Sequence, residues 1–115
     1  DVDLSPIFKR AMVCISPGQA GLSVQKCFSY GIPFVTTKTA ITGGELFSII
    51  NKTNGFLYDG SIEHLSKIMF DLSSDVYDIQ KVSQRSFSFY NNFRTPEIWR
   101  DAFCDAIENQ KPIIN

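Results

Sequence analysis

Ala11-Met12-Val13-Cys14-Ile15-Ser16-Pro17-Gly18, then Gln19-Ala20-Gly21-Leu22-Ser23-Val24-Gln25-Lys26-Cys27-Phe28-Ser29-Tyr30-Gly31-Ile32, then Pro33-Phe34-Val35-Thr36-Thr37, is the stretch that decides the fold. Its opening apolar run, closed by Ser16-Pro17-Gly18, predicts a buried strand over about residues 11–16. Leu22, Val24, Cys27 and Phe28 then put an apolar face on two helical turns. Gly31 follows and Pro33 blocks continuation, which predicts a helix over residues 22–30. The β-branched and aromatic run 33–37, with proline at the tolerated first position, predicts a second strand.

Working outward, residues 3–10 read as the end of a short helix. Downstream, the polar loop 38–44 leads into Glu45-Leu46-Phe47-Ser48-Ile49-Ile50, where Leu46, Phe47 and Ile50 share one face of a short helix ending near Asn51. Asn54-Gly55 turns the chain into a third strand over about residues 55–59. Helices fill about residues 61–110. Ser61 caps the first, which carries an apolar stripe of Ile62, Leu65, Ile68, Met69 and Leu72. A looser pattern over 76–93 turns Tyr77, Val82, Phe89, Tyr90 and Phe93 inward. The last helix starts at Thr95 (cap) and Pro96, carries the rows Ile98, Ala102, Ala106 and Trp99, Phe103, Ile107, and stops at Lys111-Pro112. Strand, helix, strand, helix, strand, helices is the order of an α/β fold: a parallel sheet with flanking helices, one domain over residues 1–115.

Composition agrees. A chain of 115 residues with 43% hydrophobic content and ten Phe is enough for one core and too short for two domains. Eleven Lys and Arg against twelve Asp and Glu supply no basic field, which argues against nucleic acid as a partner. No apolar run approaches the ~18 residues of a membrane span. The opening Asp1-Val2-Asp3, without Met, reads as a piece of a larger protein. Cys14, Cys27 and Cys104 lack metal-ligand spacing and sit among apolar neighbours, the pattern of buried thiols in a reducing cytoplasm.

In parallel sheets, ligands collect in the loops beyond the carboxyl ends of strands. Two such loops stand out. Gly18, Gln19, Ala20, Gly21, Leu22 and Ser23 join the first strand to its helix, with glycines that let backbone amides approach an anion. Thr36 to Glu45 brings four threonines, Lys38 and the pair Gly43-Gly44 to a helix start. Together they offer a place for a diphosphate, although tight packing asks for the same glycines.

Read in order, Ser16-Pro17-Gly18, Gly21-Leu22-Ser23-Val24 and Gly31-Ile32-Pro33-Phe34-Val35 resemble the carboxyl-terminal, donor-binding domain of GT-B glycosyltransferases of the retaining, family-four-like (group 1) kind. Gly43-Gly44-Glu45, then Asn54-Gly55-Phe56-Leu57-Tyr58 and Ile62-Glu63-His64-Leu65, extend the resemblance over about residues 3–75. It implies a Rossmann-like sheet forming an incomplete half of such a domain. The parent would transfer a sugar from a nucleotide-sugar to a glycan acceptor, in capsule or lipopolysaccharide synthesis at the inner face of the cytoplasmic membrane. It implies no metal and no cofactor beyond the donor substrate, and a partner in the parent's amino-terminal domain, without which the fragment would be inactive. The family's two glutamates fall on Gly18 and Lys26, so neither carboxylate is present and no catalytic residue carries over. Ala20, Gly21 and Leu22 keep their amides, and Lys26, Gly43, Gly44 and Glu45 complete the expected donor-binding set.

Each has a plainer reading: Lys26 as a solvated lysine, Glu45 as an acid favoured by a helix start, His64 as a solvated helix residue. The Trp99 and Phe103 row reads as core packing or as a surface for a missing domain. The rival class is a non-catalytic α/β interaction module derived from a glycosyltransferase, which would explain Gly18 and Lys26. An unpaired first strand, residues 12–15, would also offer an edge for homodimer formation.

Overall fold

A computed structural model describes residues 3–109. The elements run α1 (Ser5–Phe8), β1 (Cys14–Ile15), β2 (Gln19–Ala20), α2 (Ser23–Ser29), β3 (Phe34–Thr37), β4 (Ile41–Thr42), a 3₁₀ turn (Glu45–Ser48), β5 (Gly55–Tyr58), α3 (Ile62–Ser73), α4 (Ile79–Phe93) and α5 (Pro96–Asn109). The main sheet is parallel in the order β1-β3-β5, with Phe34 opposite Cys14 on one side and Gly55 on the other. The expected α/β architecture, a parallel sheet flanked by helices, is the one observed.

Alternation along β3 and β5 builds two cores. Phe34 and Leu57 join Val24, Cys27 and Phe28 of α2 on one face. Val35, Phe56 and Tyr58 join Ile68 and Leu72 of α3 on the other. Helix α4 serves both, with Val82 in the α3 layer and Phe89 and Tyr90 against the α2 layer. Its Ser83 hydroxyl donates to the Gly31 carbonyl at 2.5 Å, which ties it to the end of α2.

The structure departs from the sequence reading in several places. The first strand is shorter than 11–16, because the Ala11 N–H still bonds Phe8 at the end of α1 and pairing begins only where Cys14 N–H meets Pro33. The helix expected after Gly44 is a single 3₁₀ turn. Buried Asn54 ends it, accepting the Ile50 N–H at 2.8 Å and donating to the Ser48 carbonyl at 3.0 Å, so Ile49 is extended. Ile49 is therefore buried, while Phe47 and Ile50 are exposed. On α3 only Ile68 and Leu72 of the expected stripe are fully buried, and Ile62 and Met69 face out. On α4 Phe93 is exposed and Ser86 takes an inward place beside Val82. Trp99 and Phe103 are not core: α5 has no buried residue. Thr95 does cap α5, its hydroxyl accepting the Ile98 N–H at 3.3 Å, and Lys111-Pro112 lie outside the described residues.

Of the cysteines, Cys27 is buried, Cys14 half-buried and Cys104 exposed, so the last departs from expectation. A hydrogen bond from Cys27 draws the Cys14 thiol below its ordinary range, against the opposing effect of burial. None of the described helices is long and apolar enough to cross a membrane.

Gly55 is where β5 enters the sheet. A Cβ there would lie 2.5 Å from the Phe34 carbonyl oxygen and 3.0 Å from Ile49 Cγ2, and the backbone of the central strand cannot yield. Gly55→Ala is expected to destabilise the chain by about 3 kcal/mol, read as a lowered urea midpoint at unchanged m-value.

Candidate functional site

The loops after β1 and β3 are held together. The buried Thr36 hydroxyl donates to the Ser16 carbonyl at 2.6 Å, which fixes where the first loop leaves the sheet. Then β2 and β4 pair in parallel, Gln19 opposite Ile41 and Ala20 opposite Thr42, with the Ile41 N–H donating to Gly18. This small second sheet was not foreseen; two-residue strands leave no periodicity to read. Buried Ala20 and Ala40 pack it onto the α2 core.

The zipped loops, the 3₁₀ turn and the α4–α5 corner enclose a cleft of about 420 Å³. That lies within the usual range for a small-molecule site. Leu22 and Gln25 of the α2 region form one wall, Gly43, Gly44, Glu45 and Ser48 another, and Arg94 and Trp99 the third. Leu22, Gly43, Gly44 and Glu45 thus come together as the sequence suggested. Gly18, Gln19, Ala20, Gly21 and Ser23 support the cleft from the first loop without lining it. Lys26 stands apart, its ammonium 5.2 Å from the Phe8 ring centroid beside α1.

The second loop satisfies itself. Thr42 Oγ1 accepts the N–H groups of Gly44 at 3.1 Å and Leu46 at 3.0 Å, and donates to Glu45 Oε2 at 3.1 Å. The same carboxylate oxygen accepts the Gly43 N–H at 2.9 Å. The Gly43 and Gly44 amides are therefore engaged by this loop's own side chains. Glu45's own backbone N–H, against the opposing effect of desolvation and with help from Thr42 and Gly43, holds its carboxyl below the ordinary 4.5.

Gln25, Ser48, Arg94 and Trp99 are the lining residues that sequence reasoning did not assign to the site. Ser48, only 2% exposed, receives Gln25 Nε2–H at 3.0 Å and Arg94 Nε–H at 3.1 Å. Gln25 Oε1 is buried without a partner among the described residues. A polar Gln25 on a helix whose other inward residues are Val24, Cys27 and Phe28 was the one available signal; for Arg94 there was none. His64 is half-buried instead of solvated, its Nδ1 accepting the Asp59 N–H at 3.1 Å outside the cleft.

No protein-family model matches the chain, and no curated protein matches it. Among solved structures it is similar to one described as Anabaena Alr3699/HepE in complex with UDP, at 16% identity and a TM-score of 0.75. The likeness shows the fold. It covers 95% of this chain and 30% of that one, so the chain spans less than a third of the neighbour's length. The shared architecture is a parallel α/β sheet flanked by helices.

With Glu45 depressed in the folded state, its contribution to loop order is complete above the ordinary 4.5 and is lost as pH falls through the lower folded value. The Gly43 amide resonance is expected to titrate with a midpoint below 4.5, and Glu45→Gln is expected to abolish that titration.

Proposed function

We propose that this chain is part of the donor-binding half of a nucleotide-sugar glycosyltransferase and that its cleft receives the donor nucleotide. The carrying observation is the fold likeness to a UDP complex, joined to a cleft of suitable size beyond the carboxyl ends of β1 and β3. The order of glycine-bearing motifs from Gly18 to Glu45 supports the same reading. In it, Leu22 and Trp99 provide apolar surface for a base, and the Gly43-Gly44-Glu45 loop borders the ribose and diphosphate.

The finer reading rests on motif resemblance. The parent transfers a sugar to a glycan acceptor in surface-polysaccharide synthesis, on the cytoplasmic side and peripherally at the membrane, with the acceptor bound by an amino-terminal domain. Charge on the leaving diphosphate is met by basic groups and amides, with no cofactor and no metal. With Gly18 and Lys26 where the family has glutamates, this chain contributes binding, and alone it is expected to transfer no sugar. Donor binding, rather than an interaction role without a ligand, is favoured by the cleft.

Trp99 is the sole tryptophan and lines the cleft at 62% exposure, which makes it a reporter. Titration with UDP, GDP and dTDP is expected to quench it saturably with one of them, with amide shifts at Gly43, Gly44, Glu45 and residues 18–23. Absence of both signals with all three would overturn nucleotide binding by this chain and favour the interaction module.

A further inference from the structure

Resting on the nucleotide reading above, we propose that Arg94 is the group that binds the donor's diphosphate. It ends α4, 46 residues from Ser48 in sequence, and lines the cleft together with Gly43, Gly44 and Glu45.

Three contacts fix the guanidinium. Nε–H donates to Ser48 Oγ at 3.1 Å, Nη1–H donates to the Phe93 carbonyl at 3.1 Å, and the group lies 5.0 Å from the Phe89 ring centroid. Ser48 is itself buried and held by Gln25, so the cation is anchored through a hydroxyl to α2. A guanidinium carries about five N–H donors, and two are used here. The remaining edge has no hydrogen-bond partner among the described residues.

The charge has no acidic partner among the described residues, where the lysine and arginine ion pairs are Lys67 with Asp71 and Arg100 with Asp101. Glu45, the acid that shares the cleft, spends its carboxylate on Gly43 and Thr42. With those loop amides engaged, Arg94 is the lining side chain able to present a planar pair of charged donors to an anion. A fixed guanidinium suits two oxygens of a phosphate and loses little rotamer freedom on binding. Lys26 stands over the Phe8 ring of α1 and does not line the cleft.

The test compares UDP with uridine, which lacks the diphosphate, on the chain and on Arg94→Gln. Loss of charged hydrogen bonds is expected to weaken UDP about tenfold or more, with uridine affinity and the salt dependence of its binding unchanged. Arg94→Lys should recover part of the UDP affinity. Because Arg94→Gln also removes a brace from the α4–α5 corner, the side-chain Nε–H resonance of Arg94 is followed as well in the unmodified chain, and is expected to shift saturably with inorganic pyrophosphate. An unchanged UDP-to-uridine ratio in a folded Arg94→Gln, or an Nε–H resonance that pyrophosphate leaves in place, overturns the role of Arg94 while nucleotide binding stands. Failure of the unmodified chain to bind either UDP or uridine overturns both.

Discussion

Strand β3 runs through the middle of the sheet with Phe34, Val35 and Thr36 all buried, so its neighbouring strands and helices α2, α3 and α4 are constrained to cover it. Each side chain has its own task. Phe34 seeds the α2 core and Val35 the α3 core, while Thr36 spends its hydroxyl on the Ser16 carbonyl. A polar group inside a sheet is tolerated because it is paired, and the pairing aims the loop that follows β1. The approach of Gly55 to Phe34 does the equivalent work on the other side, admitting β5 close enough to complete the ladder.

The cleft inherits its shape from these constraints and its chemistry from long-range meetings. Ser48 sits where α2, the 3₁₀ turn and the end of α4 converge, and its oxygen receives donors from two of them. The β2–β4 pair fixes the separation of the two glycine loops. What results is a site with one self-satisfied anionic side, at Glu45, and one cationic side, at Arg94.

What was legible in the sequence follows from the range of the forces involved. Residues 33–37 were readable because β-branched and aromatic side chains declare a buried strand locally, and Thr95-Pro96 because a cap and a proline announce a helix start. The turn at Glu45–Ser48 was misread because Asn54, several residues later, supplies the hydrogen bonds that a further helical turn would have made. The glycine loops were found as loops, and in the second of them the Gly43 and Gly44 amides are already used by Glu45 and Thr42. Gln25, Ser48 and Arg94 could not be joined from sequence, since no local pattern links positions 23 and 46 residues apart.

Helix α4 belongs to both cores, and this bears on how the molecule comes apart. Without it the α2 and α3 layers would be joined mainly through a thin three-stranded sheet. By placing Val82 in one layer and Phe89 and Tyr90 against the other, α4 makes neither layer able to loosen alone. Global unfolding should therefore be a single cooperative event for residues up to the end of α4. Helix α5, which contributes to neither cluster and buries no side chain, lies outside that cooperative unit and draws its order from its cap and its local hydrogen bonds.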